Sequence, residues 1–391
     1  MHVNTTSIAR RERLHRSEVG PIELFFDLVY VFAIIQLSHL LLHHLTWLGA
    51  LQTAVLFFAV WWAWNYSAWA MNWLNPGNGA VRILNASLML LGLGMAIVLP
   101  DAFGDKGLLF ACFYVAAQVI RPLFMMFAFR GEQLAANYRN LLAWSASAGL
   151  LWLFGGLLEP DLRLVVWISA LFIDYFAPRA GYRFPLLGSA PMRMWDVDAE
   201  HLAERNRLVF IIALGESILV MGFTLSGLSV FTPVVIVSAI VGFGCLYVLW
   251  WNYFALDEGD TRHGGKADTG VLRSAYAYAH SLMVAGAIVL AVSIEMLLTR
   301  EQTDRAFLVV SVAGPMLYLM GNVLFLRSRS DALACSRYGA MGVLLLTVAT
   351  SALFGEDMSP LVPAAAIFVV MAALGIYTQY VGARTNGAEA V

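Results

Sequence analysis

The chain of 391 residues is built from apolar runs of about 20 residues, each long enough to cross the hydrocarbon core of a bilayer as a helix. Such runs fall at 21–43, 48–74, 81–100, 107–129, 139–158, 162–178, 207–226, 231–254, 271–298, 305–326, 337–354 and 361–381. In lipid, every backbone N–H and C=O of a lone span must be bonded within that span, so these runs are read as helices. Composition agrees. Hydrophobic residues make up 60% of the chain and charged residues 13%, with mean hydropathy +0.73, whereas soluble domains carry about a quarter charged residues. The expected fold is an all-α, polytopic integral membrane protein of about twelve transmembrane helices, with the lipid bilayer as its first partner.

Several function classes find no support in the residues. The net charge is −2 and no long basic run occurs, so nucleic acid is not an expected partner. The three cysteines, Cys112, Cys245 and Cys335, are too widely spaced for a disulfide framework or a zinc motif. His201 and Glu204 lack the second histidine of an HExxH helix, "GESI" at Gly215 to Ile218 is not a nucleophile elbow, and no phosphate-binding or dinucleotide glycine pattern is present. No enzyme, metal or cofactor is therefore expected. The arm before the first run has Arg10, Arg11, Arg13 and Arg16 but no short apolar region with a cleavage site, so the first span is expected to remain in the mature chain.

Loop charge sets the expected orientation. Arg82, Arg130, Arg139, the stretch from Arg179 to Arg207, Arg262, Lys266, Arg273, Arg327, Arg329 and Arg337 all fall on the side of the basic arm. The opposite loops carry Lys106, Arg163, Arg300 and Arg305 among several acids. The positive-inside rule then puts both termini in the cytoplasm of a multi-pass protein of the cell (inner) membrane. An internal repeat is also legible: "WWAWNYSAW" at Trp61 to Trp69 returns as "LWWNYF" at Leu249 to Phe254, and Ser87 to Met89 with Ala96 to Leu99 returns as Ser281 to Met283 with Ala287 to Leu290. Both pairs are offset by roughly 190 residues. The expected organisation is a cytoplasmic arm at 1–20, a six-helix repeat at 21–178, a cytoplasmic connection at 179–206, a second six-helix repeat at 207–381 and a tail at 382–391. Six is even, so the repeats run parallel.

Ionisable side chains inside such spans are costly, by roughly 2.5 to 3.5 kcal/mol at a helix centre, and they usually face a protein interior or a water-filled path. Glu23 and Asp27 lie in the first turns of the first span with i, i+4 spacing, on one helix face. Glu216 sits in the equivalent seventh span. Asn65 and Asn252 lie at similar expected depth as hydrogen-bonding partners, and Arg121 as a candidate counter-ion.

"ELFFDLVYVFAIIQLSHLL" at Glu23 to Leu41 and "HLAERNRLVFIIALGESIL" at His201 to Leu219 together resemble the bacterial low temperature requirement protein A family, in motif order, length and multispan hydropathy. The resemblance marks His201, Glu204, Arg205 and Gly215 as motif positions beside Glu23, Asp27 and Glu216. It assigns them no chemistry. "FFD" at Phe25 to Asp27 is more weakly similar to the Phe-Ser-Asp motif of the lysosomal potassium channel family, which is also built of six-helix repeats. The expected function is movement of a monovalent cation or other small solute through a polar intramembrane site organised by Asp27 and Glu216. The competing expectation is a non-transporting membrane factor that supports the envelope at low temperature by packing or partner binding.

Overall fold

The protein is described by a computed structural model covering residues 8–9, 19–191, 194–257, 269–326, 331–354 and 358–388. Of the charges used to orient the chain, Arg10, Arg11, Arg13, Arg16, Arg262, Lys266, Arg327 and Arg329 lie outside the described residues. The described residues form twelve long helices: α1 Pro21–His43, α2 Trp47–Met71, α3 Gly79–Val98, α4 Gly107–Ala128, α5 Gln133–Gly156, α6 Pro160–Phe176, α7 Ala199–Ser226, α8 Pro233–Asp257, α9 Thr269–Thr299, α10 Arg305–Leu326, α11 Asp331–Phe354 and α12 Leu361–Ala388. Ten of them are long and apolar enough to cross a membrane. The two that fall short are α6, with 17 residues, and α5, whose first turns carry Gln133, Asn137, Arg139 and Asn140. The chain is thus an all-helical, multi-pass membrane protein.

Local chemistry explains where several helices begin. Pro21 occupies the first turn of α1, where its missing N–H costs nothing, and the Glu23 carboxylate turns back to accept the Gly20 N–H at 2.9 Å. Thr46 Oγ1 caps α2 by accepting from Gly49 N–H at 3.0 Å, and Asn78 Oδ1 caps α3 by accepting from Ala80 N–H at 2.9 Å. The seventh helix starts at Ala199, eight positions before the apolar run at 207. Its first two turns are polar, so hydropathy alone does not register them.

Backbone contacts divide the chain into two compact units, Met1–Val209 with Ala267–Arg273, and Phe210–Lys266 with Ser274–Val391. In the first unit α2 is the central element, packed against α1, α4 and α6, and every residue from Ala59 to Met71 is buried. Around it α1 packs on α3, α3 on α4, α4 on α5 and α5 on α6. Indoles fill the interior: Trp152 and Trp167 lie 5.1 Å apart between ring centres, and Trp62 stacks on Tyr175 at 4.0 Å. Large apolar side chains such as Phe25, Leu150 and Phe172 point outward instead, as they should on a surface facing lipid.

In the second unit α9 packs on α8 and α10, α10 on α11, and α12 on α8, α10 and α11. Glycine permits the closest of these approaches. A Cβ on Gly286 of α9 would stand 2.7 Å from the Gly314 carbonyl oxygen of α10, and one on Gly321 would stand 2.6 Å from the Ala279 carbonyl oxygen. Without side chains at these positions the two backbones come within direct contact, which is how helices gain packing in lipid. A π-helical segment, Ser274–Ala279, interrupts α9. His280 closes it, its Nδ1 lying 2.7 Å from the Ala275 carbonyl and its Nε2 2.9 Å from the Tyr253 hydroxyl.

Candidate functional site

The acidic pair of α1 meets a basic pair of α7. Glu23 and Asp27 project from one face of α1 at i, i+4 spacing, and His201 and Arg205 project from α7 at the same spacing. His201 Nε2 lies 2.8 Å from Glu23 Oε1, Arg205 Nη1 donates to that same oxygen at 3.2 Å, and Arg205 Nη2 donates to Asp27 Oδ1 at 2.5 Å. All four side chains have no exposure to solvent. The Trp64 indole of α2 adds a donor to Asp27 Oδ1 at 2.7 Å. The Arg205 guanidinium sits between aromatic faces, 5.9 Å from the Phe26 ring centre and 5.8 Å from that of Trp64.

The hydrogen bonds around Asn72 select between the two tautomers of a neutral His201. Asn72 Oδ1 accepts from the Asp198 N–H at 2.7 Å, which orients the amide without ambiguity. Its Nδ2 then has two protons to give, one to the Asp198 carbonyl at 2.9 Å and one toward His201 Nδ1 at 3.3 Å. Nδ1 is therefore the acceptor, and the proton of a neutral imidazole resides on Nε2, donated to Glu23. Asp27 is treated differently. Its Oδ1 receives two donors, while its buried Oδ2 receives none, and Arg205 Nε is likewise without an acceptor. A buried carboxylate oxygen with no donor is an open acceptor in a dry, electrostatically strong setting.

Arg121 joins a second network rather than this one. Its Nη1 donates to the Ala63 carbonyl at 3.2 Å and to Ser67 Oγ at 3.0 Å, and its Nη2 donates to Gln118 Oε1 at 2.5 Å. Gln118 Nε2 then donates to the Tyr114 hydroxyl at 3.1 Å, and Tyr114 donates to Asp174 Oδ2 at 2.8 Å. Trp152 Nε1 reaches the same Asp174 oxygen at 3.2 Å. Arginine and aspartate are thus joined through a neutral amide and a phenol, every bond pointing toward the carboxylate.

The remaining sequence candidates lie as follows. Asn65 is buried on α2, one residue after the indole that reaches Asp27. Asn252 donates to the Val248 carbonyl at 2.8 Å and to the Met371 carbonyl at 2.9 Å, tying α8 to α12. Glu216 is buried in the part of α7 that belongs to the second unit. Glu204 turns outward and pairs with Arg207 at 3.0 Å, and a Cβ at Gly215 would touch nothing within 4 Å. Trp64, Asn72, Tyr114 and Gln118 were not singled out by sequence. Of these, only Trp64 carried a signal, as part of the recurring aromatic motif.

Comparisons with known proteins agree on kinship and add no activity. A family model described as bacterial low temperature requirement A protein matches residues 18–376. A protein of Rhizobium meliloti (strain 1021), itself described as uncharacterized, is 38% identical over 388 residues, spanning 96% of this chain and 91% of its own. No solved structure matches the chain.

Proposed function

The chain belongs to the bacterial low temperature requirement A family, and from that premise we propose that it moves a small ion or solute across the membrane, with Asp27 as the exchanging group. The observation that carries the reading is the fully buried Asp27 Oδ2 with no donor. A proton or a monovalent cation is the simplest species that satisfies such an oxygen. Arg205 and Trp64 hold Oδ1 and thereby present Oδ2 to whatever arrives. His201 and Arg205 hold Glu23 beside it, so a change of charge at Asp27 is felt at Glu23 through the guanidinium they share.

In this reading the protein is not an enzyme. It crosses the cell membrane twelve times as two parallel six-helix repeats, with both termini cytoplasmic. The pairings of α3 with α4, α4 with α5, α5 with α6 and α2 with α6 have counterparts in α9 with α10, α10 with α11, α11 with α12 and α8 with α12, which supports the duplication. The positive-inside charge pattern supports the orientation.

A second reading has its own observation. The ladder between α1 and α7 has no exposure, as a clamp would that only pins helices in a non-transporting factor. Flux of H⁺, Na⁺ and K⁺ in proteoliposomes, wild type against Asp27→Asn, separates the two. Transport requires cation flux in wild type that falls at least about tenfold in a variant that remains folded, as read from a cooperative melt above the assay temperature. Vesicles of wild type with no flux above empty ones would overturn it in favour of the clamp.

A further inference from the structure

Asp27 Oδ2 is an acceptor without a donor, and the first unit also holds the converse. Near the C-terminal end of α2, Arg273 of α9 lies over two aromatic faces, 5.0 Å from the Trp69 ring centre and 5.4 Å from that of Tyr182. It is only 6% exposed. Its Nη1 has no acceptor, and neither does the Trp69 indole N–H. Arg273 forms no ion pair among the described residues. The Tyr66 and Tyr182 hydroxyls, 3.1 Å apart, bond to each other, which consumes one hydroxyl proton and leaves the other with no acceptor among the described residues. Arg121 lies over the Tyr66 ring, 5.1 Å from its centre, with its Nε also unanswered.

Buried donors without acceptors are uncommon, because each keeps a desolvation cost that a partner would offset. Here a guanidinium N–H, an indole N–H and a phenolic proton belong to one cluster of stacked aromatic rings, and no carboxylate pairs with Arg273 among the described residues. We propose that this cluster of Trp69, Tyr66, Tyr182 and Arg273 binds an oxyanion of the phosphate type, either a free ion or the phosphate of an anionic lipid headgroup. An oxyanion offers several acceptors to donors arriving from different directions. A guanidinium on aromatic faces meets it better than an ammonium would, because its fork of N–H groups is planar and weakly hydrated. The site is separate from Asp27 and does not depend on flux.

The test is the melting temperature of the purified, delipidated full chain in detergent with sodium phosphate, sodium sulfate or sodium chloride at matched ionic strength. It is repeated in nanodiscs of phosphatidylcholine and of phosphatidylglycerol. A free oxyanion as occupant raises the wild-type melting temperature saturably, by at least about 3 °C over chloride. A headgroup as occupant gives that rise only with phosphatidylglycerol. In either case Arg273→Gln and Trp69→Phe cut the rise to less than half. Trp69→Phe keeps an aromatic face and the charge of Arg273 while removing the N–H with the five-membered ring of the indole, and its effect is read as the difference between phosphate and chloride in the same variant, so that packing loss common to both cancels and the variant decides the matter if Arg273→Gln does not fold. No rise from either source in wild type, or a rise undiminished in Trp69→Phe, would overturn the site.

Discussion

Trp64 and Arg205 donate to the same atom. The indole N–H at 2.7 Å and Nη2 at 2.5 Å both end on Asp27 Oδ1, while Oδ2 of the same carboxylate has no donor. Two helices distant in sequence thus immobilise one oxygen and leave its twin available.

Removing one of these donors tests how the load is shared. Trp64→Phe leaves a smaller aromatic ring near Arg205, deletes a hydrogen bond to a charged group worth about 1.5 to 3 kcal/mol, and removes part of a buried indole besides. We predict destabilisation of at least about 1.5 kcal/mol by denaturation in detergent. A change below about 0.5 kcal/mol would mean that Arg205 alone holds Asp27.

Arg205 answers two buried carboxylates, so its loss should be far more damaging. Arg205→Met is predicted to cost about 3 to 5 kcal/mol, the cost of leaving buried charge unpaired. Adding Glu23→Gln and Asp27→Asn to that variant should recover more than half of the loss. The coupling is read from melts of the single, double and triple variants, and strict additivity would contradict the ladder.

Asn72 leaves His201 only one way to carry its proton. Selective 15N labelling of histidine should show, at neutral pH, one ring protonated at Nε2 and bare at Nδ1, whose signal changes in Asn72→Leu. A neutral ring protonated at Nδ1 in wild type would show that the Asn72 amide does not set the tautomer.

Glycines that look alike in sequence should respond in opposite directions. At Gly286 a Cβ would meet the Gly314 carbonyl and the Tyr318 N–H at 2.7 Å, and at Gly215 it would meet nothing within 4 Å. Gly286→Ala is predicted to destabilise by about 1 to 3 kcal/mol through forced separation of α9 and α10. Gly215→Ala should be neutral, or stabilise by about 0.5 to 1 kcal/mol through helix propensity. Thermal melts of the two variants, made side by side, check both signs.

How much of this was legible differs by residue. The helices announced themselves through apolar length. Glu23 and Asp27 stood out because carboxylates in such a run are costly. The mate of that pair could have been read from His201 and Arg205, which repeat the i, i+4 spacing with opposite sign, but 178 positions separate Arg205 from Asp27 and spacing within a helix says nothing about which helix it faces. Arg121 shows the same limit. Its expected depth matched that of Asp27, yet depth fixes height along a helix and not direction around it, and its bonds go to Ala63, Ser67 and Gln118. The first turns of α7 escaped because a hydropathy scan ends a span where its polar residues begin, even when those residues are buried.

Ala63, Trp64 and Ser67 occupy little more than one turn of α2, and they serve both polar networks: Trp64 holds Asp27, while Ala63 and Ser67 hold Arg121. That turn works as a shared axle. If α2 rotates by a fraction of a turn, partners change on both networks at once, so an event at Asp27 is felt at Arg121 and, through Gln118 and Tyr114, at Asp174. Substitutions in the two networks should therefore fail to add even when no atom of one touches the other, and the stiffness of a single helix sets how strongly they speak to each other.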